Sequence, residues 1–91
     1  MKLQWTKSFV KDYQKLPQQI QKQTDKKPGF LLQDISHPSL RVKKVQGSIR
    51  GKKVSDVYEL SVTMNYRLFF QIQNNVYVLL AIGTHKEILG R

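Results

Sequence analysis

The segment whose reading decides the fold is VYELSVTMNYRLFFQIQNNVYVLLAIGTHKEIL, residues 57–89. Apolar and polar residues alternate through much of it, the period of half-buried strands. Thr63-Met64-Asn65 and Gln73-Asn74-Asn75 interrupt the alternation. Three consecutive antiparallel strands are therefore expected over 57–62, 66–72 and 76–82. Register decides which side chains meet, because a slip of one residue moves a whole set to the other face. A three-residue loop at 63–65 pairs Val62 with Tyr66 and sends Tyr58, Leu60, Val62, Tyr66, Leu68, Phe70 and Ile72 to the core. Glu59, Ser61, Arg67, Phe69 and Gln71 then share the opposite face.

The second turn admits two readings. A three-residue loop at 73–75 adds Val76, Val78, Leu80 and Ile82 to the core face. Tyr77, Ala81, Gly83 and, by continuation, His85 then join Arg67. This reading is preferred because it sorts the β-branched residues inward. A tight Asn74-Asn75 turn is the other, and it is a good local hairpin signal. It starts His85 on the wrong face unless a bulge, for which Gly83 is suited, restores the parity.

Upstream, Leu3 to Trp5 reads as a short edge strand. Thr6 is a plausible helix N-cap, and Phe9, Val10, Tyr13 and Leu16 recur at helical spacing, predicting an amphipathic helix over about 7–15 with Lys7, Lys11, Asp12 and Lys15 outward. Pro17 suits the first turn of a second helix whose buried stripe is Ile20, Leu31, Leu32 and Ile35. Pro28-Gly29 predicts a kink or break near Lys27, and Pro38 stops that helix by His37. Leu40, Val42 and Val45, with Arg41, Lys43 and Lys44, form a basic strand ending at Gly47. Residues 48–53 read as a flexible basic loop. Helices first and a strand meander after give an α+β class, with two N-terminal helices packed on an antiparallel β-sheet, in a single domain over residues 1–91.

The chain has 91 residues, no cysteine, and sixteen Lys and Arg against six Asp and Glu, for a formal net charge of +10. One small core without disulfides or thiolate metal sites is expected. Its apolar runs are far shorter than the ~20 residues of a membrane span. Residues 1–5 lack a signal-peptide core, so a cytoplasmic protein without a membrane partner is the expectation. The charge attracts polyanions: nucleic acid, an acidic protein, or both.

Arg67 and His85 on one face of a basic sheet point to metal-independent RNA cleavage, needing no cofactor. Histidine titrates near working pH and suits proton transfer from the 2′-hydroxyl. Arginine holds its charge and suits the phosphorane-like state. Each residue also has a plainer role. His85, a lone histidine at a strand end, can be a surface or turn residue, Arg67 can cap the sheet by pairing with Glu59 or Glu87, and His37 before Pro38 reads as structural. Lys43, Lys44, Lys52 and Lys53 fit phosphate steering. Tyr66 and Tyr77 can be ordinary sheet aromatics, although a flat face carrying tyrosine and phenylalanine also suits base stacking.

The blocks KSFVKDYQKLP (7–17), HPSLRVKKVQGS (37–48), NYRLFF (65–70) and IGTH (82–85), in this order, resemble the RelE/ParE superfamily of bacterial type II toxins. The resemblance covers nearly the whole chain. It implies a compact α+β fold and a cognate antitoxin that wraps and silences the toxin. For RelE-like members it further implies an endoribonuclease that cuts mRNA, commonly at the ribosome, and inhibits translation. The family's strand arginine falls on Arg67 and its basic or histidine position on His85. Glu59 and Ser61 stand where the RelE branch has lysines, so Glu59 is either an acid–base partner or a salt-bridge residue. The expected site is thus Arg67, His85 and Glu59 for catalysis, with Lys43, Lys44, Lys52, Lys53, Tyr66 and Lys86 on the RNA. ParE-like members share the fold but poison DNA gyrase, and that remains the alternative. A basic RNA-binding module without toxicity is a third reading.

Overall fold

Thr6 ends one element and starts the next with a single hydroxyl. Its Oγ1 accepts from the Phe9 amide at 3.2 Å and donates to the Leu79 carbonyl at 3.1 Å. The cap satisfies a free helix-end donor and ties the helix to the sheet in the same contact. The computed structural model describes residues 1–90, and in it strand β1 (Lys2–Trp5) leads into helices α1 (Lys7–Gln14) and α2 (Gln18–Gln33). Strands β2 (Lys43–Lys44), β3 (Ser48–Ile49), β4 (Lys52–Lys53), β5 (Val57–Ser61), β6 (Tyr66–Gln73) and β7 (Val76–Thr84) follow, and helix α3 (His85–Leu89) closes the order. Five strands form one sheet in the order β1-β7-β6-β5-β2, and β3 and β4 form a separate hairpin. The α+β expectation holds, with one refinement: β1 runs parallel to β7 at the sheet edge.

The helices cover one sheet face. Phe9 and Leu31 bury against Leu60, Leu68, Phe70, Tyr77, Leu79 and Ile82. Helix α2 runs unbroken through Pro28, against the break expected near Lys27. Proline removes one backbone hydrogen bond there, but Thr24 and Leu31, both almost fully buried, anchor the helix on either side. Leu32, predicted inside, is 43% exposed.

The second face is also covered, which the sequence reading did not anticipate. Val57, Phe69, Ala81 and Ile88 form a second buried cluster, with Ile49, Val54 and Leu89 packed on it. Residues 48–53 are therefore no flexible loop. They fold as the β3–β4 hairpin through Arg50 and Gly51, at φ 49° and 79°. Arg50 N donates to the Ile88 carbonyl at 2.8 Å, joining hairpin to α3. The basic strand predicted from Leu40 shrinks to Lys43–Lys44, because Arg41 takes φ 49°, outside strand geometry.

The second turn corrects the preferred reading. Gln73 pairs with Val76, so the loop is the two-residue Asn74-Asn75 turn, with φ of 48° and 64°. Positive φ at both positions is the hairpin geometry that asparagine tolerates. Tyr77 and Leu79 consequently face the helices, and Ile72 is 38% exposed at the sheet end. The register then shifts between Phe69 and Phe70: Phe70 pairs with Leu79 and Phe69 with Ala81. Leu80 is the extra residue of a bulge, three residues earlier than Gly83. Beyond it Ile82 faces the helices and Gly83 lies opposite Arg67.

Asp12, predicted to face solvent, completes the sheet. β1 stops at Trp5, and past that point Asp12 Oδ2 accepts from the Ile82 amide at 3.1 Å while Oδ1 accepts from Arg50 Nη2 at 2.6 Å. A helix side chain thus stands in for the missing strand.

Phe69 tests the two-faced core. Truncation to alanine is expected to cost about 3–5 kcal/mol, as for a fully enclosed phenylalanine. Urea denaturation of Phe69→Ala measures it; a loss below about 1 kcal/mol would mean that the second face is effectively open.

Candidate functional site

Glu59 sits mid-strand in β5, opposite Phe69 on β6 and Lys43 on β2. Arg67 lies two residues from Phe69 on β6, making it a diagonal neighbour of Glu59 on the same face. Its Nε stands 3.3 Å from Glu59 Oε2. His85 arrives from the other side. It is the first residue of α3, and its Nε2 lies 2.9 Å from Oε2 and 3.1 Å from Oε1 of the same carboxylate. One glutamate therefore joins the arginine and the histidine, and it is only 8% exposed.

The approach of α3 to the sheet depends on two local features. Thr84 Oγ1 accepts from the Glu87 amide at 3.2 Å, and Glu87 Oε1 accepts from the Thr84 amide at 3.0 Å. This reciprocal capping box fixes where the helix begins. Gly83 lets the helix fold back: a Cβ there would sit 3.2 Å from both Glu87 Oε1 and Ile88 Cδ1. Since Glu87 serves the cap, Glu59 is the carboxylate that pairs with Arg67.

Arg67 is held firmly. Its Nη1 donates to the carbonyls of Thr63, Met64 and Tyr66 at 2.6, 2.9 and 3.1 Å. With Nε on Glu59, Nη2 is the nitrogen left without a partner among the described residues. The guanidinium offers one rigid edge in place of a free fork.

The histidine is similarly constrained. An ionised carboxylate only accepts, so Nε2 carries the hydrogen that points at Glu59. In the neutral ring Nδ1 is then the basic nitrogen. The ring also lies tilted against Phe69, centroids 6.3 Å apart, while the side chain stays 44% exposed.

Around these groups lies an open concavity of about 510 Å³ lined by Met64, Asn65, Tyr66, Arg67, Thr84, His85 and Lys86. Tyr66 and Lys86 of the predicted RNA contacts thus border it, although Tyr66 packs its ring against the helix-side cluster. Lys43 is exposed and stands across from Glu59 on the same face. Lys44 alternates away from it and pairs with Asp56 at 3.4 Å. Lys52 and Lys53 lie exposed on the β3–β4 hairpin, outside this concavity. His37 stacks on Phe30 with centroids 4.5 Å apart, and its Nδ1 accepts from the Ser39 amide, fitting the structural role read for it. Met64 and Asn65 were missed as site residues; their place in a turn beside Arg67 was the available signal. Among the described residues, no group of three or more His, Asp or Glu side chains is arranged to hold a metal ion.

The family model for the ParE toxin of type II toxin-antitoxin systems, parDE, matches residues 3–89. The chain belongs to this family. Solved structures agree at the level of fold. The RelB-RelE antitoxin-toxin complex from Methanococcus jannaschii is 20% identical with a TM-score of 0.70, covering 91% of each chain. The YoeB/ParE toxin from Agrobacterium tumefaciens is 14% identical with a TM-score of 0.73, covering 93% of this chain and 99% of that one. The intact Escherichia coli RelBE toxin-antitoxin complex is 21% identical with a TM-score of 0.66, covering 91% and 94%. A comparison with curated proteins gives no match. This ParE-family toxin thus shares its fold with proteins of the RelE and YoeB names, at identities too low to transfer an activity. No helix among its described residues is long and apolar enough to cross a membrane.

The imidazole geometry makes a spectroscopic prediction. Nitrogen-15 NMR of the neutral ring of His85 is expected to show the Nε2–H tautomer, and Glu59→Ala to remove that preference. An Nδ1–H ring in the unaltered protein would contradict the Glu59 contact.

Proposed function

We propose that this ParE-family toxin is an endoribonuclease that cleaves mRNA at the ribosome and so inhibits translation. The observation that carries the reading is the single buried carboxylate of Glu59, which holds Arg67 and His85 beside one solvent-open concavity. The reaction uses the substrate's own 2′-hydroxyl. Nδ1 of His85 takes its proton, the 2′-oxygen bonds to the adjacent phosphorus, and the bond from phosphorus to the 5′-oxygen breaks. The departing 5′-oxygen draws a proton from solvent, leaving a 2′,3′-cyclic phosphate. Arg67 Nη2 faces the charge that builds on the non-bridging oxygens. Glu59 reaches the substrate only through these two groups, so its role is to position them. Lys43 and Lys86 add positive potential near the linkage, and Lys44, Lys52 and Lys53 steer RNA from further out. A cognate antitoxin is proposed as the silencing partner, by likeness to the RelB-RelE complexes, and the cytoplasm as the place of action.

The second reading is a toxin that inhibits DNA gyrase without cutting RNA, favoured by the ParE family match itself. His85 separates the two. On the nuclease reading, His85→Ala lowers the cleavage rate by roughly 10²- to 10⁴-fold, and transcript-end mapping after induction loses its cyclic-phosphate ends together with the growth arrest. Arrest that persists in His85→Ala, with a DNA-damage response and uncut transcripts, would favour gyrase. Cleavage by the unaltered protein should also weaken steeply with salt, because phosphate contacts release counterions.

A further inference from the structure

A second concavity, of about 520 Å³, adjoins the first and shares Met64 and Arg67 with it. Its other lining includes Ser39, Arg41, Ser61 and Thr63. Arg41 also borders a third hollow, beside Ser36 and His37. The three hollows follow one another, so a groove passes from His37 by Arg41 and Arg67 to His85. The groove is open to solvent, its polar lining is made of hydroxyls, His37 and arginines, and it carries no carboxylate in the two sections that contain Arg41, which suits a polyanionic strand.

Arg41 is unusual in two respects. Its φ is 49°, the left-handed region, where a residue with a Cβ is strained. Its guanidinium also has no hydrogen bond or ion pair to any described residue. Arg50 shares the backbone conformation, but Asp12 holds its side chain at 2.6 Å. Asp56, Asn74 and Asn75 are residue types that tolerate positive φ. At Arg41 alone is the cost met by nothing internal, in a place where glycine would fold without strain.

We infer that Arg41 forms a subsite for a phosphate of single-stranded RNA, flanking the linkage held at Arg67 and His85. This rests on the nuclease reading and extends it. Arg41 pairs with the backbone, so it contributes affinity and register while discriminating little between bases. Met64, 88% exposed and lining both hollows, stands where a base would cross.

The test uses the purified toxin, a 12-nucleotide RNA blocked by 2′-O-methylation, and the same RNA with its 2′-hydroxyls. Arg41→Gly is expected to weaken binding of the blocked RNA roughly tenfold, the size of one charge-assisted contact, similarly for A-rich and U-rich sequences. The slope of log affinity against log salt should flatten by about 0.7. On the cleavable RNA, KM should rise more than kcat falls, and Tm should stay level or increase. Arg41→Lys, with the same strained backbone and a cation, should recover most of the affinity. Equal losses in the glycine and lysine variants would overturn a charge-based subsite. So would unchanged binding by Arg41→Gly in a protein that still cleaves, which would leave the nuclease reading standing. If the unaltered toxin neither binds nor cuts RNA, the nuclease reading falls and takes the subsite with it.

Discussion

The position of His85 depends on one additional residue in β7. The Asn74-Asn75 turn pairs Gln73 with Val76, and continued without interruption that register would set Ile82 opposite Arg67. Gly83 and His85 would then face the helices. The bulge at Leu80 advances β7 by one position, so Gly83 meets Arg67 and Ile82 enters the helix-side core. Two aromatic neighbours on β6 mark the change: Phe70 points to one cluster and Phe69 to the other. The same shift turns Ala81 and the start of α3 toward the second face, so the lesser core and the candidate site arise from one irregularity.

Glu59 then converts proximity into geometry. A buried carboxylate is costly unless it is paired and hydrogen-bonded. Here the cation at Arg67 and the N–H of His85 fill that need, and the three carbonyls around Arg67 Nη1 leave the guanidinium little freedom. Groups fixed before a substrate arrives need no reorganisation to act on it, which is the condition under which electrostatic stabilisation is most effective. The arrangement also limits the arginine. With Nε and Nη1 engaged, it meets an anion through Nη2, so further grip on a polyanion must come from other cations.

Periodicity made the α+β class, the meander, the Thr6 cap and the face shared by Glu59 and Arg67 legible in the residues. Those features follow from local pattern and nearest-neighbour pairing. At the second turn, the tolerance of Asn74 and Asn75 for positive φ outweighs the inward sorting of the β-branched residues. The bulge allows Tyr77 and Leu79 to face the core before it and Ile82 after it, so no single alternation describes β7. The second core was hidden for a related reason. Phe69 reads as a solvent-face residue until α3 and the β3–β4 hairpin are known to cover it, and both are too short to announce themselves by period. Asp12 shows the same limit, since its role is set by where β1 happens to stop. At the site, the residue types were legible and their contacts were not: whether Arg67 pairs with Glu59 or Glu87 depends on the capping box that occupies Glu87.

The distribution of charge completes the physical account. Each of the six acidic side chains has an internal partner. Asp12 holds Arg50 and the Ile82 amide, Asp25 the Tyr13 hydroxyl and Asp34 the Ser36 amide. Asp56 pairs with Lys44, Glu59 with Arg67 and His85, and Glu87 with Thr84. Among the described lysines and arginines only Lys44, Arg50 and Arg67 form ion pairs with carboxylates, so most of the +10 charge is directed at solvent. Carboxylates here act as structural ties, and cations outside those ties build the long-range field. That division separates two tasks that a single arginine performs poorly together. Exposed cations attract a polyanion through a field that salt screens, whereas Arg67, paired with Glu59 and clamped by three carbonyls, adds little to that field and holds a fixed geometry.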